Sequence, residues 1–269
     1  MVYVHLTNHV HYQASYFKFY TNVKDAVRQS SEKAFIEPME DRPNLHKVMF
    51  ARVQKILFDG TRVVGVQYLH ENQTKTVKAG REVIVSAGAL ITPQILMLSG
   101  IGDVKYLREM GIPVVADVPG VGNNFHDHVR CDINFTTTLE FPKDGHLTKD
   151  NLELYNKHKI GSFASNFAGV AHIRTRHSKT DDDVQGQICL SYEASKATNS
   201  STGYNFMIRL LNWVHKPLAR GTIRLRSLDQ LDDPLIDPQY LADKKDWETM
   251  YDILVHMLGV AQTKPFRGK

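Results

Sequence analysis

VIVSAGALITPQILMLSGIG, residues 83–102, is a run without a single charged side chain. An apolar run of about 20 residues is long enough to cross a bilayer as a helix. Turn-forming residues inside the run argue against a membrane helix. They are Gly88, the Thr92-Pro93 pair and the Ser99-Gly100 pair, and they divide the run into short segments. The run therefore favours a buried part of an α/β domain, and a membrane-associated segment over residues 83–102 is the weaker alternative.

The pieces of this run predict a strand followed by a short helix. Val83–Val85 is β-branched and short, which is typical of a buried strand. Thr92 suits the N-cap of a helix, and Pro93 suits its first position, where the missing N–H is not needed. The Ser99-Gly100 pair is then expected to end that helix.

Two later helices are marked by aspartate caps. Asp103 is predicted to cap a helix that Gly111 closes. Asp243 is predicted to cap a long amphipathic helix, with Asp246 at its third position. Apolar residues at helical spacing define the expected buried face of the long helix: Trp247, Met250, Ile253, Leu254, Met257, Leu258 and Ala261. A further short helix is predicted over residues 148–157.

Alternating apolar residues predict strands on both sides of residues 83–102. Before it, three strands form a meander, with a tight turn at Asp59-Gly60 and a looser turn around Glu71–Gln73. After it, residues 131–139, 184–192 and 204–214 are predicted to form antiparallel strands. The predicted fold class is mixed α/β (α+β).

Composition and charge narrow the possible functions. The chain has 269 residues and a formal net charge of +4, with Lys and Arg scattered along it. Such a charge distribution does not form the basic patch that nucleic-acid binding requires, so no nucleic-acid partner is expected. The two cysteines, Cys131 and Cys189, are too few for a disulfide framework and lack metal-site spacing. They are predicted to be buried free thiols.

The first residues contain histidines but neither a metal motif nor a signal peptide. His9 and His11 alternate as on one face of a strand, and a half-exposed strand explains them better than a metal site, which needs more ligands. The start lacks a basic region followed by an apolar core. This is expected of a non-secreted protein or of a chain that lacks its natural start, so the sequence does not determine the compartment.

Five segments resemble, in order, segments of one enzyme family. GALITPQILMLSGIG (88–102) resembles the second signature of the glucose–methanol–choline (GMC) oxidoreductases, which are FAD-dependent. VPGVGNNFHDHV (118–129) resembles the family's VGxNLxDH segment, with Phe125 in place of leucine. The remaining matches are VRQSSEKAFIEP (27–38), NLHKVMFARVQKILFDG (44–60) and RGTIRLRSLDQLDDPLIDPQYL (220–241). Within the family, the segments resemble the insect glucose-dehydrogenase-like group.

This resemblance implies FAD as cofactor and a division of the chain into three parts. Residues 1–129 would form a partial FAD-binding domain, 130–217 an antiparallel-sheet substrate domain, and 218–269 the start of the C-terminal region. Ser86, Ala87 and Gly88 would lie beside the flavin, where small side chains let the backbone approach a planar ring. Val53 would meet the adenine through its peptide groups. The competing interpretations are a core strand residue for Val53 and an ordinary tight turn for residues 86–88.

The triplet His126-Asp127-His128 admits three interpretations. Two histidines around an acid could be metal ligands or an acid–base pair. Local hydrogen bonding at the edge of the cofactor domain is the favoured interpretation.

Two features of the family are absent from the sequence. The GxGxxG fingerprint that holds the pyrophosphate at a helix N-terminus is not found. The family's catalytic histidine region has no counterpart, because His215 and His256 do not occupy the matching motif. No catalytic residue is therefore assigned, and the chain is expected to be an internal fragment that binds FAD weakly and does not turn over substrate alone.

Two functional hypotheses follow. The first is a fragment of an FAD-dependent oxidoreductase that oxidises CH–OH groups of an alcohol, sugar or sterol by hydride transfer to flavin. The second is a catalytically inactive GMC-like binding or interaction module. The sequence selects neither the substrate nor the electron acceptor.

Overall fold

The computed structural model describes residues 2–3, 14–17, 22–136, 148–161, 163, 170–180, 183–196, 204–264 and 266. The chain divides into two compact units. The sheet unit comprises Met1–Leu45, His128–Leu218 and Leu241–Lys269, and the meander unit comprises His46–Asp127 and Ala219–Tyr240. The assignment of 1–129, 130–217 and 218–269 to functional domains stays a prediction. The predicted strand face with His9 and His11 lies outside the described residues.

The described residues form short helices set among runs of consecutive strands. The strands are β1 (Val2–Tyr3), β2 (Ala14–Phe17), β3 (Val23–Lys24), β4 (Val27–Arg28), β5 (Arg52–Asp59), β6 (Arg62–His70), β7 (Gln73–Lys78), β8 (Ile101–Gly102), β9 (Ala116–Asp117), β10 (Ile133–Thr136), β11 (Val170–Ile173), β12 (Gly186–Lys196), β13 (Tyr204–Val214), β14 (Thr222–Arg224) and β15 (Leu235–Asp237). The α-helices are α1 (Gly88–Leu98), α2 (Val104–Glu109), α3 (Lys149–His158) and α4 (Lys244–Ala261). A π-helical turn (Glu32–Ile36) and a 3₁₀ turn (Glu37–Met39) precede β5. This mixture of helices and antiparallel sheets confirms the predicted fold class.

The meander is the three-stranded antiparallel sheet β5-β6-β7. Asp59 pairs with Arg62, so Gly60 and Thr61 form the two-residue loop. The second turn is made by Glu71 and Asn72, both in the left-handed region with φ of 51° and 58°. These turns confirm the predicted meander.

Helix α1 begins earlier than the sequence predicts. Its N-cap is Ala87, and Pro93 lies inside the helix, so the prediction that Thr92 is the N-cap is wrong. A proline removes the hydrogen bond to the carbonyl four residues earlier. For Pro93 that carbonyl belongs to Ala89, in the first turn of the helix, so the loss falls near an end rather than at the centre.

Val83–Val85 is not a strand, which corrects the prediction of a buried strand there. The segment has no regular secondary structure, and Ile84 is 79% exposed. A strand needs a neighbour to complete its backbone hydrogen bonds. Among the described residues no strand pairs with this segment, so its β-branched composition alone does not produce one.

The second helix and its surroundings form as predicted. The Asp103 carboxylate accepts a hydrogen bond from the Tyr106 N–H at 2.8 Å, which caps α2. Gly111 follows α2 with φ of 72°. β8 and β9 then pair in parallel. Helix α1, helix α2 and the residues after β14 share one apolar cluster: Met97, Leu107, Ile112 and Leu225.

A six-stranded sheet dominates the other unit, in the order β1-β2-β11-β12-β13-β10 with antiparallel pairing throughout. Its long hairpin β12-β13 confirms the antiparallel strands predicted over residues 184–192 and 204–214. Thr148 caps α3 by accepting from the Asn151 N–H at 3.1 Å, which confirms the predicted short helix. Helix α4 packs on β12 and β13. The core between them contains Ile173, Ile188, Leu210, Val214, Met250, Ile253 and Met257.

Helix α4 is capped by Asp243 as predicted, but it is rotated from the orientation that its apolar pattern indicates. Trp247 and Leu258, expected on the buried face, are 58% and 47% exposed. Four polar residues are buried instead: Asp246, Thr249, Asp252 and His256. The buried face therefore includes the polar neighbours of Met250, Ile253 and Met257.

Two buried carboxylates account for this rotation. Asp252 accepts hydrogen bonds from the Arg176 N–H at 3.0 Å and from its Nε at 2.9 Å, and it forms an ion pair with that guanidinium. Asp246 accepts from the Leu218 N–H at 2.7 Å. Because a buried carboxylate must be hydrogen-bonded, these contacts outweigh the burial of the last apolar side chains. His256 is a packing residue, and burial lowers its pKa.

The cysteines differ in burial. Both are free; Cys189 is buried and Cys131 is exposed, so the prediction of two buried thiols is wrong for Cys131. Burial raises the pKa of the Cys189 thiol. Cys131 lies just before β10, where its carbonyl accepts a hydrogen bond from the Asn212 amide.

No helix in the described part of the chain is both long enough and apolar enough to span a bilayer.

Three histidines meet at one side of the six-stranded sheet. His215 stacks on His128 with ring centroids 5.2 Å apart, and His172 meets it edge-on at 5.4 Å. Nε2 of His215 lies 3.0 Å from the Gln187 Oε1. Burial, and then the nearby His128, His172 and Lys216, lower the pKa of His215 from 6.5 to about 4, and burial lowers the pKa of His172.

This cluster predicts a loss of stability in acid. Between pH 6.5 and about 4 the unfolded chain binds more protons than the folded chain, because the folded pKa of His215 is depressed. The free energy of unfolding should be highest above pH 6.5 and should fall as the pH decreases through this window. Urea unfolding at a series of pH values should show a shallower decline for His215→Gln. His126→Gln, at an exposed position, is the control, and an equally shallow decline there would contradict the assignment.

The contribution of Asp252 to the orientation of α4 can be tested by substitution. Asp252→Asn removes the charge that faces the Arg176 guanidinium, and it should lower the free energy of unfolding by about 2 kcal/mol, a typical value for a hydrogen bond to a charged group. Chemical denaturation measures this value. Glu82→Gln, a charge removal at an exposed site, should change it by less than about 0.5 kcal/mol. An equal effect of the two substitutions would show that Asp252 does not anchor the helix.

Candidate functional site

One hydrogen-bonded serine joins the meander to α1. The Ser99 hydroxyl accepts from the Ile56 N–H at 2.9 Å and donates to the Ile95 carbonyl at 2.6 Å. Ile56 lies in the middle of β5, and Ser99 is the C-cap of α1. The end of the helix is therefore held against the middle of an edge strand.

A second pair of hydrogen bonds ties both elements to one segment. Nη2 of Arg52, the first residue of β5, donates to the Gln230 carbonyl at 2.8 Å. Nε2 of Gln94, in the second half of α1, donates to the Asp232 carbonyl at 2.7 Å. Residues 230–232 therefore bind both the start of β5 and α1.

The predicted cofactor residues belong to these two elements. Val53, the second residue of β5, is half-buried and pairs with Tyr68. Ser86, Ala87 and Gly88 are exposed at the beginning of α1. Gly88 has φ of 88°, and a Cβ built on it would meet no described atom within 4 Å. The contact of Val53 and residues 86–88 with FAD stays a prediction.

Exposed apolar side chains flank these positions in the chain. Phe50 is 94% exposed with a left-handed φ of 54°, and Ile84 is 79% exposed. Val48 and Met49 are more than half exposed, and residues 48–52 line an open cavity of about 470 Å³. Exposed apolar surface of this kind marks a binding region. Sequence reasoning did not single out Phe50, although the apolar run VMF before Ala51 was visible.

The triplet 126–128 does not form one site. Nδ1 of His126 lies 3.0 Å from the Asn124 carbonyl, which confirms local hydrogen bonding. Asp127 accepts from the Tyr240 hydroxyl at 2.9 Å, and this contact raises the pKa of Tyr240. His128 belongs to the histidine cluster of the sheet unit. No group of metal-ligating side chains occurs among the residues that the structure describes.

Arg224 connects two of the distant motifs. Its guanidinium donates to the Gly122 carbonyl at 2.7 Å and to the Asn123 Oδ1 at 2.6 Å, and it lies over the Tyr106 ring at 5.3 Å. The Tyr106 hydroxyl accepts from the Leu225 N–H at 2.8 Å. Residues 118–129 and 220–241 are therefore parts of one hydrogen-bonded arrangement. The sequence contained both motifs, but it carried no indication that this arginine joins them.

Comparisons with known proteins converge on one family. Two sequence models described as GMC oxidoreductase match residues 7–130 and 217–269. The chain is 36% identical over 239 residues to an alcohol dehydrogenase [acceptor] of Pseudomonas putida, covering 84% of this chain and 42% of that protein. It is 32% identical over 240 residues to an oxygen-dependent choline dehydrogenase of Burkholderia vietnamiensis, covering 84% and 41%.

A solved structure supports the same relationship. The fold matches an FAD-dependent oxidoreductase from Chaetomium thermophilum with a TM-score of 0.74 and 26% identity, over 90% of this chain and 49% of that one. The chain thus spans less than half the length of the relatives it matches.

Gly100, which follows the C-cap of α1, allows a test of the close backbone packing at the end of this helix. Gly100 has φ of 84°, and a Cβ there would lie 2.4 Å from the Pro113 carbonyl oxygen. Gly111 has φ of 72° with no described atom within 4 Å of such a Cβ. Gly111→Ala should therefore cost only the left-handed strain, about 1 kcal/mol, whereas Gly100→Ala should cost at least about 3 kcal/mol. Thermal unfolding measures both, and equal losses would contradict the close approach at Gly100.

Proposed function

We propose, from the premise that this chain belongs to the GMC oxidoreductase family, that it forms part of an FAD-dependent oxidoreductase acting on CH–OH groups of donors. In this proposal Val53, Ser86, Ala87 and Gly88 hold the cofactor. FAD, when bound, supplies the acceptor for the hydride that leaves the donor carbon. The residues of this chain bind and orient that group.

The observation that carries the proposal is the open beginning of α1. Its N-cap, Ala87, makes no side-chain capping bond, and the first residues of the helix are exposed. The first backbone N–H groups of a helix have no partner within the helix, and they attract electron-rich atoms. Gly88 leaves space where another residue would place a Cβ. A flat ring whose edge carries hydrogen-bond acceptors, such as the carbonyl oxygens and ring nitrogens of a flavin, therefore fits against residues 86–88.

Val53 suits the adenine side of the cofactor for a different reason. β5 is an edge strand of the meander, so part of its backbone faces away from β6. An adenine ring presents hydrogen-bond donors and acceptors at its edge, and an edge-strand backbone can match both. The apolar Val53 side chain is not required to make those bonds, which agrees with its half-buried position.

The donor is proposed to be a small-molecule alcohol. Two of the relatives are named for donors that are alcohols, an alcohol dehydrogenase and a choline dehydrogenase. A sugar or a sterol also carries a CH–OH group and is a more specific alternative for the donor. Residues 130–217 would contribute the substrate side, through the antiparallel sheet of the sheet unit. No residue of this chain is assigned the proton transfer.

Flavin binding provides the test. The 269-residue chain is mixed with FAD, and binding is followed by fluorescence anisotropy and by yellow colour retained after gel filtration. Weak, saturable binding is expected, and Gly88→Ala should weaken it about tenfold, because the added methyl group occupies the space for the ring. Gly111→Ala is the matched control, since it has the same positive φ and open space.

The outcomes separate the two functional hypotheses. If both glycine substitutions weakened FAD binding equally, the flavin would not lie against the beginning of α1. Absence of any anisotropy change at about 100 μM protein, with the fold intact by circular dichroism, would favour the binding module without flavin.

A further inference from the structure

Helix α4 carries a second apolar surface, on the side opposite its buried residues. Four large side chains of this surface are between 40% and 58% exposed: Trp247, Tyr251, Val255 and Leu258. Successive members are four, four and three residues apart, so they form one stripe along the helix, which is called the exposed stripe below. The stripe is a consequence of the rotation of α4, because the paired carboxylates and their apolar neighbours occupy the buried side.

The surroundings of the exposed stripe are those of an interface rather than of a solvated helix surface. From residue 253 to residue 263 the sequence contains no Asp, Glu, Lys or Arg. Trp247 and Tyr251 stack on each other, with ring centroids 6.2 Å apart and planes 15° apart. Tryptophan and tyrosine are enriched at the centres of protein interfaces. Contiguous exposed apolar surface of this kind marks an interaction site.

The exposed stripe is complementary to itself when two copies of α4 lie antiparallel. A two-fold axis through the middle of the helix places Trp247 opposite Leu258 of a second copy, and Tyr251 opposite Val255. Each contact then joins an aromatic ring to an aliphatic side chain and removes both from water. Gly259, beside Leu258, is exposed, and a Cβ built on it would meet no described atom within 4 Å, which leaves space for the indole ring.

The charges of α4 favour the same direction. Lys244 and Lys245 are exposed in the first turn, where the helix dipole disfavours positive charge, and Lys244 pairs with Glu248 at 3.5 Å. The last turn carries no basic residue to offset the partial negative charge of its carbonyl groups. Antiparallel packing brings the lysines of each copy beside the last turn of the other. Parallel packing would instead set the two pairs of lysines side by side.

We propose that this chain forms a homodimer in which the exposed stripes of two α4 helices pack antiparallel. The contact extends about 17 Å along each helix, which is eleven rises of about 1.5 Å. It is smaller than a standard protein interface, so a reversible dimer with a dissociation constant of about 10 μM is expected. The dimer does not depend on the proposed flavin chemistry, and the two can fail separately.

Sedimentation velocity of the full chain tests the dimer, over concentrations from about 1 to about 200 μM. The average sedimentation coefficient should rise from that of a monomer to that of a dimer. Tyr251→Glu places a charge in the stripe of each copy and should weaken association at least about tenfold. Leu152→Glu, at a 49% exposed position of α3, is the matched control and should leave association unchanged. Circular dichroism confirms that both variants are folded.

Cross-linking tests the antiparallel direction. In a Cys131→Ser background, a short bis-maleimide should join two copies of the Lys244→Cys/Gln262→Cys double variant, because residue 244 of one copy lies beside residue 262 of the other. Gln262→Cys alone should not be cross-linked, since its two copies lie about 27 Å apart. Cross-linking of that single variant would overturn the antiparallel arrangement.

Two results would overturn the dimer itself. One is a chain that stays monomeric up to about 200 μM, which would leave the exposed stripe to a different partner. The other is association that Tyr251→Glu and Leu152→Glu weaken equally, because the contact would then lie elsewhere on the molecule.

Discussion

The hydrogen bonds of the Ser99 hydroxyl are the constraint on which the meander unit depends. An edge strand presents backbone N–H groups that need partners, and Ser99 accepts one of them from Ile56 while it donates to its own helix. Because Ser99 is only 7% exposed, water cannot replace it. This contact seats α1, which begins at Gly88, on β5, the strand that contains Val53. The residues proposed to hold the flavin therefore belong to two elements that this contact joins.

In the sheet unit, the buried carboxylates of α4 impose a comparable constraint on the orientation of that helix. Apolar spacing alone would turn α4 so that Trp247 and Leu258 face the sheet, but Asp246 and Asp252 turn it the other way. Leaving a large apolar side chain in water costs a few kcal/mol, and burying an unpaired carboxylate costs more. The helix therefore keeps both carboxylates paired and exposes part of its apolar stripe.

Local patterns predicted the elements whose information lies in neighbouring residues. The meander turns at Gly60 and at Glu71-Asn72, the Asp103 and Asp243 caps and the hairpin β12-β13 all follow from short-range chemistry. The family was also visible, because five motifs occur in order. Predictions failed where the structure of a segment depends on a partner elsewhere in the chain. Val83–Val85 has a strand's composition but no described ladder partner, and α1 begins at Gly88 although Thr92-Pro93 resembles a better start.

Of the candidate site, the sequence by itself determined which residues are small, apolar or charged and the family to which their order belongs. It singled out Val53 and residues 86–88, and the tertiary structure decided that β5 and α1 are joined through Ser99. The link from Arg224 to Gly122 and Asn123 and the rotation of α4 were decided by tertiary structure alone. The reason is physical: propensity, capping and alternation act over a few residues, whereas polar groups that are removed from water take their partners from segments up to 178 residues away.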